Sequence, residues 1–320
     1  MTRTALVTGA TGFLGREVVK TLQIAGWHVT GTGFTRAKPP AILKVDLESK
    51  SELVKVLEEV KPDVVIHCAA NRFPDKCDTD PQGTLALNVQ ASRTLAEVTT
   101  ERSILLIYIS TDYVFPGVPG EAPYEVESST RPTTFYGQSK LSGEEAVLRV
   151  TEHRRTSVVL RIPVLYGAAT SPAESAVNVL MDTVWKAQEV DVSAPEQPKE
   201  GQPKVLTVDD WSIRYPTNTE DVARVLRDVA SKYLDTPGRD RDGLPRILQF
   251  SSEHRVTKYR ICQIFAEILG LPLDEKRLVP NAQGNDPHAA VQRPYDCHLS
   301  TRELKSLGID VRTVDFTAWW

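Results

Sequence analysis

The first half of the chain alternates short apolar runs with segments whose apolar residues recur at helical spacing. Runs at 4–8 (TALVT), 27–33, 42–45, 63–67 (DVVIH), 104–109 (ILLIYI) and 157–162 predict strands. The runs at 63–67 and 104–109 are almost unbroken by polar residues, as expected of strands covered on both faces. Between them, 13–25, 49–60, 81–99 and 136–150 predict helices. Ser49, with Glu52 three residues on, predicts a capping box for the second of these. Strands alternating with helices predict an α/β fold, a Rossmann-type doubly wound parallel sheet.

Beyond Gly167 the pattern loosens. Residues 186–204 are polar, carry Pro195, Pro198 and Pro203, and read as a surface loop or insertion; 235–245 reads as a second loop. Helical spacing returns at 220–232, 258–269 and 301–307. The expected division is a dinucleotide-binding domain over 1–167, its core continuing into later segments, and a smaller mixed substrate or partner lobe over 168–320.

Composition narrows the function. Of the 320 residues 41% are hydrophobic and 25% charged, which suits a packed core rather than disorder. With 38 Lys plus Arg against 42 Asp plus Glu, the net charge of −4 excludes a globally basic nucleic-acid binder. No apolar run reaches the ~18–20 residues of a membrane helix, and MTRTALVTGA reads as a strand rather than a signal peptide. Cys68, Cys77, Cys262 and Cys297 show no metal-type pairing. These features predict a cytoplasmic protein with reduced thiols and no metal.

Candidate chemistry begins at Thr8-Gly9-Ala10-Thr11-Gly12-Phe13-Leu14-Gly15, between the first strand and the first helix. Gly9 suits the tight turn, Gly12 the close approach of a pyrophosphate, and Gly15 the packing of helix on strand. The helix start then offers free N–H groups and a positive dipole end to phosphate. A glycine turn that binds nothing is the bland alternative; the position on the first βα turn favours a dinucleotide. At the end of the second strand, Gly31 to Lys38 holds no acid for a ribose 2′-hydroxyl. Arg36, helped by Arg16, suits a 2′-phosphate, so the residues favour NADP(H) over NAD(H). Both arginines also read, more simply, as solvated surface.

Tyr136 and Lys140 stand four apart on one helix face. A nearby ammonium is expected to lower the phenol pKa and fit Tyr136 for proton transfer near neutrality. Such a pair is weak evidence alone, and its position after the fifth strand strengthens it. That strand ends in Ser110-Thr111-Asp112-Tyr113, where Thr111 or Ser110 could donate to a carbonyl oxygen, or Asp112 could simply cap a turn. His67 ends a buried strand and reads as structural.

TGATGFLG, STDYVF, YGQSK and RIPVLYG, in this order along nearly the whole chain, resemble the extended short-chain dehydrogenase/reductase family. The resemblance implies a catalytic set of Thr111 to polarise a carbonyl, Tyr136 to transfer the proton, and Lys140 to hold the nicotinamide ribose and tune Tyr136. Two branches are most similar: dTDP-4-dehydrorhamnose reductases, and regulatory beta subunits of methionine adenosyltransferase, which keep the reductase fold and bind NADP. The acid found in sugar-nucleotide dehydratases at the strand end is replaced by Tyr113. HCAANRFPD at 67–75, RIPVLYG at 161–167, WSIRYPT at 211–217, Val256-Thr257-Lys258-Tyr259 and Gln292-Arg293-Pro294 resemble the regulatory branch.

That resemblance implies cofactor contacts at Thr11, Gly12, Phe13, Leu14, Phe34, Thr35, Arg36, Asp46, Leu47, Cys68, Arg72, Tyr136 and Leu165. It also implies that Arg214 and Tyr215 fill the place where a reductase admits sugar. The expected function is an NADP(H)-binding regulatory subunit, partner to the methionine adenosyltransferase catalytic subunit and supporting S-adenosylmethionine synthesis. The alternative is an NADPH-dependent ketoreductase acting on a keto-sugar nucleotide. In the regulatory branch a C-terminal tail docks into the catalytic subunit. Here Trp319 and Trp320 are expected either to mark a partner surface or to pack back on their own lobe.

Overall fold

A computed structural model describes residues 2–189, 205–285, 288 and 292–320. In chain order its strands are β1 (Thr4–Thr8), β2 (His28–Gly33), β3 (Ile42–Lys44), β4 (Val64–His67), β5 (Leu105–Thr111), β6 (Ser157–Ile162), β7 (Leu165–Tyr166), β8 (Leu206–Asp209), β9 (Thr217–Asn218), β10 (Ile247–Gln249) and β11 (Leu278–Asn281). The α-helices are α1 (Phe13–Ile24), α2 (Lys50–Val60), α3 (Pro74–Thr79), α4 (Pro81–Leu85), α5 (Ser92–Glu101), α6 (Phe135–Val150), α7 (Val179–Gln188), α8 (Thr219–Asp235), α9 (Gly238–Arg241), α10 (Lys258–Leu269), α11 (Arg302–Ser306) and α12 (Phe316–Trp319).

Seven strands form one parallel sheet in the order β10-β6-β5-β4-β1-β2-β3. The order reverses between β1 and β4, and a doubly wound sheet binds its ligands at such a switch point. Successive strand residues point to opposite faces. Ala5 and Val7 of β1 therefore join a core with Leu14, Val18 and Leu22 of α1 and Val222, Leu226 and Val229 of α8. Leu6, between them, joins the other face with Leu53, Val56 and Leu57 of α2 and Leu95 and Val98 of α5. Each of these valines and leucines contributes roughly 1.5–3 kcal/mol on burial.

A separate core builds the smaller lobe, from Leu180 and Val184 of α7, Val208 of β8, Ile261, Cys262 and Phe265 of α10, Leu278 of β11, and Phe316. β8 and β11 pair in parallel there. Segments from the second half of the chain also complete the large sheet. β10 pairs with β6 at the edge, and α8 lies beside α1.

Several expectations change. The single helix predicted over 81–99 is α4, a π-helical turn at Ala86–Ala91, and α5, with α3 unforeseen before it. Asp80 restarts the chain by accepting from Gly83 N at 3.0 Å. The π turn inserts a residue, as such turns often do near functional sites. It leaves the Asn88 carbonyl to accept from the Ser92 and Tyr108 hydroxyls, at 3.0 and 3.4 Å.

The capping box at α2 is only half formed. Ser49 Oγ accepts from Glu52 N at 3.4 Å, but the Glu52 carboxylate accepts from Asp46 N at 2.7 Å. The loop expected at 235–245 contains α9, and the polar stretch expected at 186–204 begins inside α7. Residues 190–204 of that stretch lie outside the described residues.

Candidate active site

A cleft of about 480 Å³ opens at the C-terminal ends of β1, β4 and β5, and it brings together much of the sequence-predicted set. Gly9, Thr11, Gly12, Phe13, Leu14, Gly15, Arg36, Cys68, Arg72, Thr111, Tyr136, Lys140 and Leu165 line it. Arg16, Phe34, Thr35, Asp46 and Leu47 do not. Phe34 is exposed and has the Lys44 ammonium 5.5 Å from its ring centre. Thr35 follows it, also exposed, in the turn after β2. Asp46 accepts from Glu48 N at 3.0 Å, and Leu47 packs against the core under α2. These four follow β2 and β3, the strands at the outer edge of the sheet beyond β1.

At the cofactor end the backbone does most of the shaping. Gly9 has φ +66°, and a Cβ there would stand 2.8 Å from Ala69 N. A Cβ on Gly15 would stand 2.2 Å from Gly9 O, so α1 can lie this close to the turn only with glycine. Gly12 is the N-cap and brings no side chain to cap α1, whose first turn holds no acid. The opening N–H groups of α1 therefore remain for an anion, with the helix dipole behind them. This cradle fits the diphosphate of a dinucleotide.

Beside it, Arg16 donates to Thr11 O at 3.1 Å and pairs with Glu174 at 2.7 Å. Arg36 reaches the same carboxylate at 3.2 Å, and Arg72 donates to the Glu174 carbonyl at 2.6 Å. Glu174 gave no sequence signal, being one acid in a loop.

In the middle of the cleft stand Thr111, Tyr136 and Lys140. Thr134 caps α6 by accepting from Gly137 N at 3.0 Å, which sets Tyr136 in the first turn. Thr111 Oγ1 donates to Asp112 Oδ1 at 3.1 Å and accepts from Tyr113 N at 3.2 Å. The Tyr136 pKa moves opposite to the expected direction. Burial pushes the phenol well up, while hydrogen bonding with Thr111 opposes it. Lys140 does not offset that burial. Its ammonium lies 4.0 Å from the centre of the Tyr108 ring, and desolvation pulls its own pKa down to about 7.

Asn88 was missed by the sequence reading, although an asparagine inside a helical pattern is a poor helix former and so a faint signal. Buried in the π turn, it donates to Ser139 Oγ at 3.0 Å and Asn71 O at 2.9 Å, and accepts from Asn71 N at 2.8 Å. It ties α6 to the loop carrying Arg72. His67 is held by Thr8 and Ser92, at 2.7 and 3.0 Å, and burial lowers its pKa to about 3.

The far end is cationic, with Arg214, Lys258 and Arg293 on the wall. Burial pulls Lys258 down to about 8, and Arg214 and Arg293 act in the same direction. Asp112 is pushed up to about 7 by burial, against the pull of Arg214. Arg214 stands in the wall, held by its bond to Ile213 O at 2.7 Å. Tyr215 does not. It stacks on His298 at 4.0 Å and its hydroxyl donates to Asp296 at 3.3 Å, so it leaves the cleft open. Trp319 and Trp320 pack back on their own lobe, 5.4 and 6.1 Å from Tyr166, with Trp320 4.7 Å from Phe265. Among the described residues no helix is long and apolar enough to cross a membrane.

Comparison with known proteins extends this picture. The chain is 36% identical over 311 residues to methionine adenosyltransferase 2 subunit beta of Rattus norvegicus, covering 97% of this chain and 84% of that protein. The Danio rerio protein of the same name is 36% identical over 314 residues, covering 98% and 88%. The crystal structure of Bacillus anthracis dTDP-4-dehydrorhamnose reductase in complex with NADP has the same fold, with a TM-score of 0.77, 19% identity and coverage of 100% and 96%. Residues 3–315 match the RmlD substrate binding domain, and the chain belongs to that family of extended short-chain dehydrogenase/reductase proteins.

Proposed function

We propose that this chain is an NADP(H)-binding regulatory subunit of the methionine adenosyltransferase beta type. It would act by binding a catalytic subunit and so support S-adenosylmethionine synthesis in the cytoplasm. The observation that carries this is the 36% identity spanning 97% of the chain and 84% of the Rattus norvegicus beta subunit. The cofactor part of the proposal is supported by the bare glycine cradle and by the arginines beside it. Gly9, Thr11, Gly12, Phe13, Leu14 and Gly15 would hold the diphosphate, Arg16 and Arg36 a 2′-phosphate, and Tyr136 and Lys140 the nicotinamide ribose.

The test is capture of a purified methionine adenosyltransferase catalytic subunit by the full chain, with and without NADPH. Stoichiometric capture is the expected result; no capture in either condition overturns the regulatory reading.

A second reading, NADPH-dependent reduction of a keto-sugar nucleotide or similar carbonyl, is favoured by the open cleft between Tyr136 and Arg214. When bound, the nicotinamide would supply hydride. Thr111 would polarise the carbonyl oxygen and Tyr136 would deliver a proton to it. A buried phenol with a raised pKa keeps its proton at neutral pH, which suits an acid in a reduction. NADPH oxidation in the presence of keto-sugar nucleotides tests this reading.

A further inference from the structure

The arginines assigned to a 2′-phosphate already hold an anion, and it belongs to the protein. Glu174 ends a single 3-10 turn, Pro172–Glu174. Its carboxylate takes two bonds from Arg16, at 3.0 and 2.7 Å, and one from Arg36 at 3.2 Å. Thr170 N adds another at 2.9 Å. The two-pronged Arg16 contact is the geometry by which a guanidinium also grips phosphate, so carboxylate and phosphate are rivals for the same donors.

The carboxylate is well covered. The Glu174 side chain is 12% exposed, against 29% for Arg16 and 59% for Arg36. These bonds, Arg16 foremost, hold its pKa at about 2, so it is anionic throughout the physiological range. Its backbone is fixed from behind. Ser175 Oγ donates to Leu165 O at 2.7 Å and accepts from Val177 N and Asn178 N at 3.0 Å each. Ser175, Ala176 and Val177 continue directly into the cleft wall.

We propose that Glu174 is a built-in competitor for the cofactor's 2′-phosphate and thereby sets how strongly the site prefers NADP(H) over NAD(H). A 2′-phosphate takes over the Arg16 and Arg36 donors now bonded to Glu174 only by displacing that carboxylate, and it meets like-charge repulsion until the carboxylate leaves. A dinucleotide with a free 2′-hydroxyl makes no such demand and leaves the pair intact. The apparent affinity for the phosphorylated cofactor is therefore reduced by the fraction of time the arginines are occupied. This inference rests on the cofactor assignment made above.

The test compares adenosine 2′,5′-bisphosphate with adenosine 5′-monophosphate, which differ by the 2′-phosphate alone. Binding to the full-length wild type, Glu174→Gln and Glu174→Ala is measured by titration calorimetry, with circular dichroism to verify folding. Both variants are expected to bind the bisphosphate roughly tenfold more tightly than wild type and the monophosphate within about twofold. Bisphosphate affinity that is unchanged or weaker in both folded variants overturns the role of Glu174. If wild type still prefers the bisphosphate in that case, the NADP(H) assignment survives. If no protein distinguishes the two nucleotides, the 2′-phosphate assignment falls and Glu174 falls with it.

Discussion

The two ends of the cleft are built in opposite ways. The cofactor end is one run of eight residues, 8–15, folded over a single strand-to-helix turn. The far end gathers Asp112, Arg214, Lys258 and Arg293 from widely separated parts of the chain. Backbone makes the first, through two glycines that leave no room for a Cβ. Buried side-chain charge makes the second, with Lys258 pulled down to about 8 and Asp112 pushed up to about 7. A site made of backbone tolerates change in its neighbours' side chains. A site made of desolvated charges depends on every element packed around it.

The largest effect is expected between the two ends. If the cleft reduces a carbonyl, Tyr136→Phe lowers kcat by about 10²–10⁴-fold, while NADPH binding by titration weakens by no more than about tenfold, the loss of one hydrogen bond to the ribose. An unchanged rate removes Tyr136 from proton transfer.

Next comes the buried charge at the far end. The Asp112 pKa is about 7 in the fold against 3.8 unfolded. The folded chain therefore binds more protons than the unfolded chain between those values, and stability falls as pH rises through that window. The slope attributable to one such group reaches about 1.4 kcal/mol per pH unit. Asp112→Asn is expected to flatten this slope in urea melts between pH 4 and 7. Parallel curves for both proteins show that Asp112 ionises normally.

The backbone end has its own break point. Gly15→Ala places a Cβ 2.2 Å from Gly9 O and is expected to cost about 1–3 kcal/mol in chemical denaturation, along with NADP(H) affinity. Full stability in that variant would remove the steric argument for the turn.

The smallest effect is at the rim. Arg36→Ala is expected to weaken NADP(H) roughly tenfold and NAD(H) within about twofold, since one exposed charge-assisted bond is lost. Equal losses for both cofactors dismiss the 2′-phosphate role.

The sheet was largely legible because its signals are local. Apolar runs such as 63–67 and 104–109 mark β4 and β5, and helical spacing over 258–269 matches α10. The glycine run stands on the β1–α1 turn, and Tyr136 and Lys140 share a face of α6. The short strands were not legible, since β7 and β9 have two residues each and carry no period. Nor was the break at 86–91, where the π turn answers to Asn71, Tyr108 and Ser139 rather than to its own sequence.

The sequence by itself determined the alternation of strand and helix, the glycine turn, and the four-residue spacing of tyrosine and lysine. All three depend on periodicity and turn chemistry within a few neighbouring residues. Tertiary structure alone decided which way the Tyr136 pKa moves, which residue fills the arginine fork, and that Arg214 lines the cleft while Tyr215 turns away. Those outcomes depend on burial and on charges brought together from distant parts of the chain, and neither exists until the chain has packed.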